Sequence, residues 1–108
     1  MPDFTLDDLA QIVASRAGSG DPGSYTAKLV AKGVPECAKK LGEEAVEAAI
    51  AGALGDRERL RAEAADVIYH LLVLLHAVGV SFEDVKHELA NRTHRSGIEE
   101  KNARTHAA

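Results

Sequence analysis

Two acidic patches placed symmetrically about one glycine restrict this chain more than any other feature. Glu43-Glu44-Ala45-Val46-Glu47 precedes Gly55 and Glu63-Ala64-Ala65-Asp66 follows it, with the midpoints of the Glu44/Glu47 and Glu63/Asp66 pairs equidistant from that glycine. Residues three and four apart share a helical face, so Glu43, Glu44 and Glu47 project from one arc of one helix, and Glu63 and Asp66 from one arc of another. If the two stretches fold back on each other as an antiparallel hairpin, the patches meet at the same level. Converging carboxylates repel one another and raise each other's pKa values, a conflict that a hard divalent cation removes. An oxygen-only ligand set without His or Cys points to Mg²⁺ or Mn²⁺ rather than zinc, and Mg²⁺ commonly bridges to the phosphates of a substrate.

Either patch alone reads as a solvated face. Their opposition, and the small residues Ala45, Ala48, Ala64 and Ala65 among them, favour a metal site over two separate surfaces. A di-iron carboxylate bundle needs Glu-x-x-His pairs, and no Glu in this sequence has a His three residues on.

The 108 residues suit one domain. Aromatic residues make up 4% and apolar residues 45%, the latter mostly Ala, Leu and Val, a composition for closely packed helices. The formal charge is −4, and no cluster of Lys or Arg forms a nucleic-acid footprint. Cys37 stands alone, which excludes an internal disulfide and fits a reducing cytoplasm. No apolar segment follows a basic start as in a signal peptide. The longest apolar stretch, Val67 to Val80, contains His70 and His76 and is shorter than the roughly 18 residues a membrane span requires, so no membrane partner is expected.

Taken in order, Thr5 and Asp8 form a reciprocal cap, with Phe4 and Leu9 as staple, for a first helix to about Ala17. Gly18 to Gly23 is a glycine-rich connection, either a plain linker or a mobile substrate loop. Ser24 caps a short helix from Tyr25 to about Lys32. Pro35 opens a helix to about Leu54, in which Gly42 marks either a close helix crossing or room for a ligand beside Glu43. Asp56 caps a helix from about Arg57 to Ala77. Its run Val67 to Leu75 is apolar on nearly every face, and a helix of that kind must be covered all round. Four or five helices can scarcely do so, so a homodimer is expected. After Gly79, Ser81 and Asp84 start a last helix to about Arg92. The expectation is an all-α domain over 1–92, a bundle of four to five helices completed by homodimerisation, followed by a polar tail over 93–108 that is flexible or loosely docked.

Among the remaining polar residues, His70 and His76 do not share a helical face and are expected at a boundary or partner contact rather than in catalysis. Tyr25 and Tyr69 suit either stacking on a base or a core position with a bonded hydroxyl. Lys39 and Lys40 lie one turn before the acids, where one of them can pair with Glu43 or Glu44 or contact a phosphate. The sequence has no Walker A loop, nucleophile elbow or Cys/His pair.

The acidic pattern resembles the signature of the MazG-like all-α nucleotide pyrophosphohydrolases. Ser24-Tyr25-Thr26-Ala27-Lys28-Leu29, Lys40-Leu41-Gly42-Glu43-Glu44, Ala65-Asp66-Val67-Ile68-Tyr69-His70-Leu71-Leu72-Val73-Leu74-Leu75 and the tail segment Ser96-Gly97-Ile98-Glu99-Glu100-Lys101 together resemble the phosphoribosyl-ATP pyrophosphohydrolase family. The resemblance implies Mg²⁺-dependent hydrolysis of phosphoribosyl-ATP to phosphoribosyl-AMP and pyrophosphate, the second step of histidine biosynthesis, by a helical dimer in the stand-alone form. On that footing Glu44, Glu47, Glu63 and Asp66 are the candidate metal ligands. Glu43 is the candidate general base or a further ligand, and Lys28, Lys40 and Tyr25 are candidates for substrate contact. Two other functions carry the same features: a broader nucleoside triphosphate pyrophosphatase, and a non-catalytic metal-binding helical dimer.

Overall fold

The computed structural model describes residues 3–93 together with Lys101 and Arg104. Within 3–93 the chain forms five helices: α1 Leu6–Ala17, α2 Tyr25–Ala31, α3 Val34–Ala53, α4 Arg57–Val78 and α5 Phe82–Thr93. No strand occurs among the described residues, so the fold is all-α. The expected tail of 93–108 lies outside the described residues except for Thr93, which closes α5, and for Lys101 and Arg104, which are helical.

Local chemistry sets the boundaries. Thr5 and Asp8 exchange backbone-to-side-chain hydrogen bonds of 3.1 and 3.0 Å, closing the reciprocal cap of α1. Ser24, Asp56 and Ser81 accept from the N–H groups of Ala27, Arg59 and Asp84 at 3.1, 3.1 and 3.0 Å. Each such cap satisfies an otherwise orphaned donor and contributes on the order of 1 kcal/mol. Gly55 turns the chain between α3 and α4 at φ 71°, and Gly79 ends α4 at φ 80°, left-handed conformations that a side chain would strain.

Helices α3 and α4 run back on each other and make the most extensive helix contact of the chain. The main core gathers at one end of this hairpin, where Val13 of α1, Leu29 of α2, Cys37 of α3 and Leu72 and Val73 of α4 are buried. Toward Gly55 only Ala51 is fully buried, and Val46, Ile50 and Leu54 are 59, 46 and 73% exposed. The acidic stretches therefore lie on a two-helix arm that rests on itself rather than on the core.

The apolar α4 is only partly covered. Leu72 and Val73 are buried, whereas Ile68, Leu71 and Val78 keep 38, 37 and 49% of their surface. No residue of α5 is buried, and Lys86 ties this helix to α1 through Asp7 at 3.0 Å. No single described helix is long and apolar enough to cross a membrane.

Candidate active site

The α3–α4 turn at Gly55 sets the register that brings the two acidic arcs together. Glu44 of α3 and Glu63 and Asp66 of α4 each present a carboxylate oxygen within 4.8 Å of the other two. Glu44 and Glu63 are half-buried and Asp66 is exposed. Glu47, also on α3, stands close enough to push the Glu63 carboxyl upward, although it is not one of the three that converge. Glu43 turns away along its helix and pairs with Lys40 at 3.5 Å. Of the five acidic residues singled out in the sequence, three converge, Glu47 stands beside them and Glu43 pairs with Lys40.

Electrostatics mark Glu63 as the strained member. Burial pushes its carboxyl above the ordinary glutamate value, and Glu47 and Glu44 push it further. Glu63 Oε2 is buried with no hydrogen-bond partner among the described residues. The Arg59 guanidinium reaches only the other oxygen, at 3.9 Å from a half-exposed position. A carboxylate oxygen left without a partner is unfavourable, and a cation held between Glu44, Glu63 and Asp66 would offset the charge these three bring together. The set is hard oxygen donors throughout, so these residues fit a divalent cation of the Mg²⁺ type.

A groove of about 670 Å³ along α3 is lined by Lys40, Gly42, Glu43, Glu44, Val46 and Glu47. A Cβ on Gly42 would meet nothing within 4 Å, so the glycine leaves open space rather than a tight crossing within the chain. Lys40 also borders a second cleft of about 470 Å³, formed with Tyr25, Lys28, Lys32 and Glu36 between α2 and α3. The three residues picked for substrate contact thus line one cleft, and Lys40 joins it to the acidic groove. Lys32 and Glu36, one turn from Lys28 and Lys40, belong to the same wall. Helical spacing from Lys28 was the signal that could have found Lys32.

His70 departs from expectation. It is 6% exposed and sits inside the chain rather than at a boundary. Its Nδ1 lies 2.8 Å from the Asp66 carbonyl oxygen, which can only accept, so Nδ1 carries the proton. Nε2 is then free to accept from the Tyr25 hydroxyl at 3.2 Å. Tyr25, Tyr69 and His70 form one aromatic cluster, the two tyrosines stacked at 6.3 Å and His70 edge-on to both. Tyr69 takes the core option, its hydroxyl bonded to the buried Thr26. Burial raises the Tyr25 hydroxyl above its usual pKa, with Lys40 opposing, so it remains a phenol.

These features define an all-α protein with an oxygen-donor site able to hold a divalent cation beside a lysine-lined cleft. Comparison with known sequences carries this further. The family model for phosphoribosyl-ATP pyrophosphohydrolase matches residues 6–93. A phosphoribosyl-ATP pyrophosphatase of Methylobacterium radiotolerans is 61% identical over 104 residues, covering 96% of this chain and 97% of that protein. Proteins of Nitrobacter hamburgensis (phosphoribosyl-ATP pyrophosphatase) and Bradyrhizobium diazoefficiens (phosphoribosyl-ATP pyrophosphatase 1) are 57 and 54% identical over 104 residues, each covering 96% of this chain and 97 and 98% of their own length. The chain belongs to the phosphoribosyl-ATP pyrophosphohydrolase family.

Proposed function

We propose that this chain hydrolyses phosphoribosyl-ATP to phosphoribosyl-AMP and pyrophosphate, the second step of histidine biosynthesis, as a cytoplasmic homodimer with Mg²⁺ as cofactor. Membership of the family supports the reaction. The observation that supports the site is the convergence of Glu44, Glu63 and Asp66, with one oxygen of Glu63 buried and without a hydrogen-bond partner among the described residues.

Glu44, Glu63 and Asp66, with Glu47 beside them, would hold the cation. When bound, Mg²⁺ supplies charge neutralisation on the leaving pyrophosphate and orients a water for in-line attack. The remaining roles fall to side chains around it. Glu43 stands at the edge of the groove, outside the ligand cluster and paired with Lys40, and is the candidate general base. Lys40 lies between the acidic groove and the Tyr25 cleft, placed to follow the phosphates from one to the other, and Lys28 adds a second cation. Tyr25, 51% exposed, offers a ring to the base.

The homodimer rests on the apolar surface that a single chain leaves open on α3 and α4. The free, buried Cys37 is compatible with a reducing cytoplasm. Asp66→Ala and Glu47→Ala should each abolish turnover while circular dichroism stays helical. Near-normal turnover in both would refute the metal-site assignment.

A further inference from the structure

Among the described residues, Tyr25 alone is shared by the lysine-lined cleft and a second cavity of about 370 Å³ that also takes in Arg16, Ser24, Thr26 and Tyr69. It forms the ridge between them, and the direction of its ring decides what each cavity can accept. Two side-chain hydrogen bonds join α2 to α4 here. Thr26 to Tyr69 is the inner one, with Thr26 2% exposed, and it fastens the helices. Tyr25 to His70, at 3.2 Å, is the outer one. His70 is itself fixed at 2.8 Å to the carbonyl of Asp66, so a single imidazole links the ridge of the cleft to the backbone of a residue in the acidic cluster.

The donor inventory gives this link a consequence. A phenol has one proton, and Tyr25 gives it to His70 Nε2, the acceptor nitrogen of a ring whose Nδ1 proton is already committed. The Tyr25 hydroxyl therefore has no donor left for a phosphate. What it presents to the clefts is its ring face.

We infer that His70 is a positioning residue: it holds Tyr25 as an aromatic platform for the purine of the substrate, in register with the acidic cluster, and leaves phosphate recognition to the lysines. This inference rests on the function proposed above and adds a residue that acts through Tyr25 without touching substrate.

The test uses isosteres. Asn in place of His70 can keep the amide donor to Asp66 but cannot reach Tyr25, whereas Gln places its amide near the lost Nε2. Tyr25→Phe keeps the platform and removes the tether. For phosphoribosyl-ATP, His70→Asn and Tyr25→Phe should each raise KM roughly three- to tenfold with kcat within about twofold, the loss expected for one neutral hydrogen bond. The double variant should be no worse than either single one, His70→Gln should recover part of the loss, and Tyr25→Leu, which removes the platform, should exceed it. Unchanged KM in His70→Asn, a fall in kcat at constant KM, or single effects that multiply in the double variant would overturn the inference.

A second readout is independent of turnover. In the metal-free protein, nitrogen NMR of labelled histidine should show His70 protonated at Nδ1, with the Nε2 resonance moving in Tyr25→Phe. A proton on Nε2 refutes the link whatever the activity, and this measurement decides the matter if His70→Asn does not fold. If the wild type instead turns over ordinary nucleoside triphosphates only, the substrate proposed above falls while the Tyr25–His70 coupling is still read on those nucleotides.

Discussion

Glu44 and Glu63 face each other across the α3–α4 hairpin with carboxylate oxygens within 4.8 Å, and one oxygen of Glu63 is buried without a hydrogen-bond partner among the described residues. A fold that places two acids this way stores repulsion in its unliganded state. The same arrangement becomes favourable once a cation stands between them.

That repulsion has a measurable sign. The folded chain holds the Glu63 pKa above its ordinary value of 4.5, through burial and then through Glu47 and Glu44. An acid whose folded-state pKa is raised binds its proton more tightly when folded. Its contribution therefore favours folding at low pH and is lost as pH rises from the ordinary glutamate value through the raised one. Glu63→Gln removes this dependence. In chelator, the melting temperature of the wild type relative to Glu63→Gln should fall as pH rises across that window, and Mg²⁺ should raise it in the wild type far more than in the variant. Equal responses of both proteins to Mg²⁺ would count against Glu63 as a ligand.

Gly42 lies mid-helix with open space where its side chain would be, in the wall it shares with Glu43, Glu44 and Glu47. Gly42→Ala should stabilise the chain by about 0.5–1 kcal/mol, from helix propensity, when unfolded with denaturant. It should also raise KM, because the added methyl narrows the groove. A loss of stability would show instead that the glycine admits a second copy of the chain.

Ile68 and Leu71 remain 38 and 37% exposed on a helix that is apolar on most faces. Leu71→Glu costs little if that surface meets water and much if it meets another chain. Sedimentation should find the wild type a dimer at micromolar concentration and Leu71→Glu shifted toward monomer. A monomeric wild type would remove the dimer from the account.

Much of this was legible in the sequence because it is local. The caps at Thr5, Ser24, Asp56 and Ser81 act within one turn, and each starts its helix where the side chain indicates. The hairpin register followed from counting outward from Gly55. The roles of individual acids did not follow, because they depend on how each helix is rotated about its axis. That rotation puts Glu44 with Glu63 and Asp66 and turns Glu43 to Lys40. The bond from Tyr25 to His70 spans 45 residues and depends on where α2 crosses α4, which no periodicity encodes. A histidine within an apolar run therefore read as a boundary residue until the crossing was known.

The most direct test of the central claim is pyrophosphate release from phosphoribosyl-ATP by the purified protein, with Mg²⁺ and then with chelator, beside the same assay on ATP. Release that requires the metal and is much faster from phosphoribosyl-ATP is the predicted result. Release from ATP and other nucleoside triphosphates without preference for phosphoribosyl-ATP, or release from none of them, would contradict it.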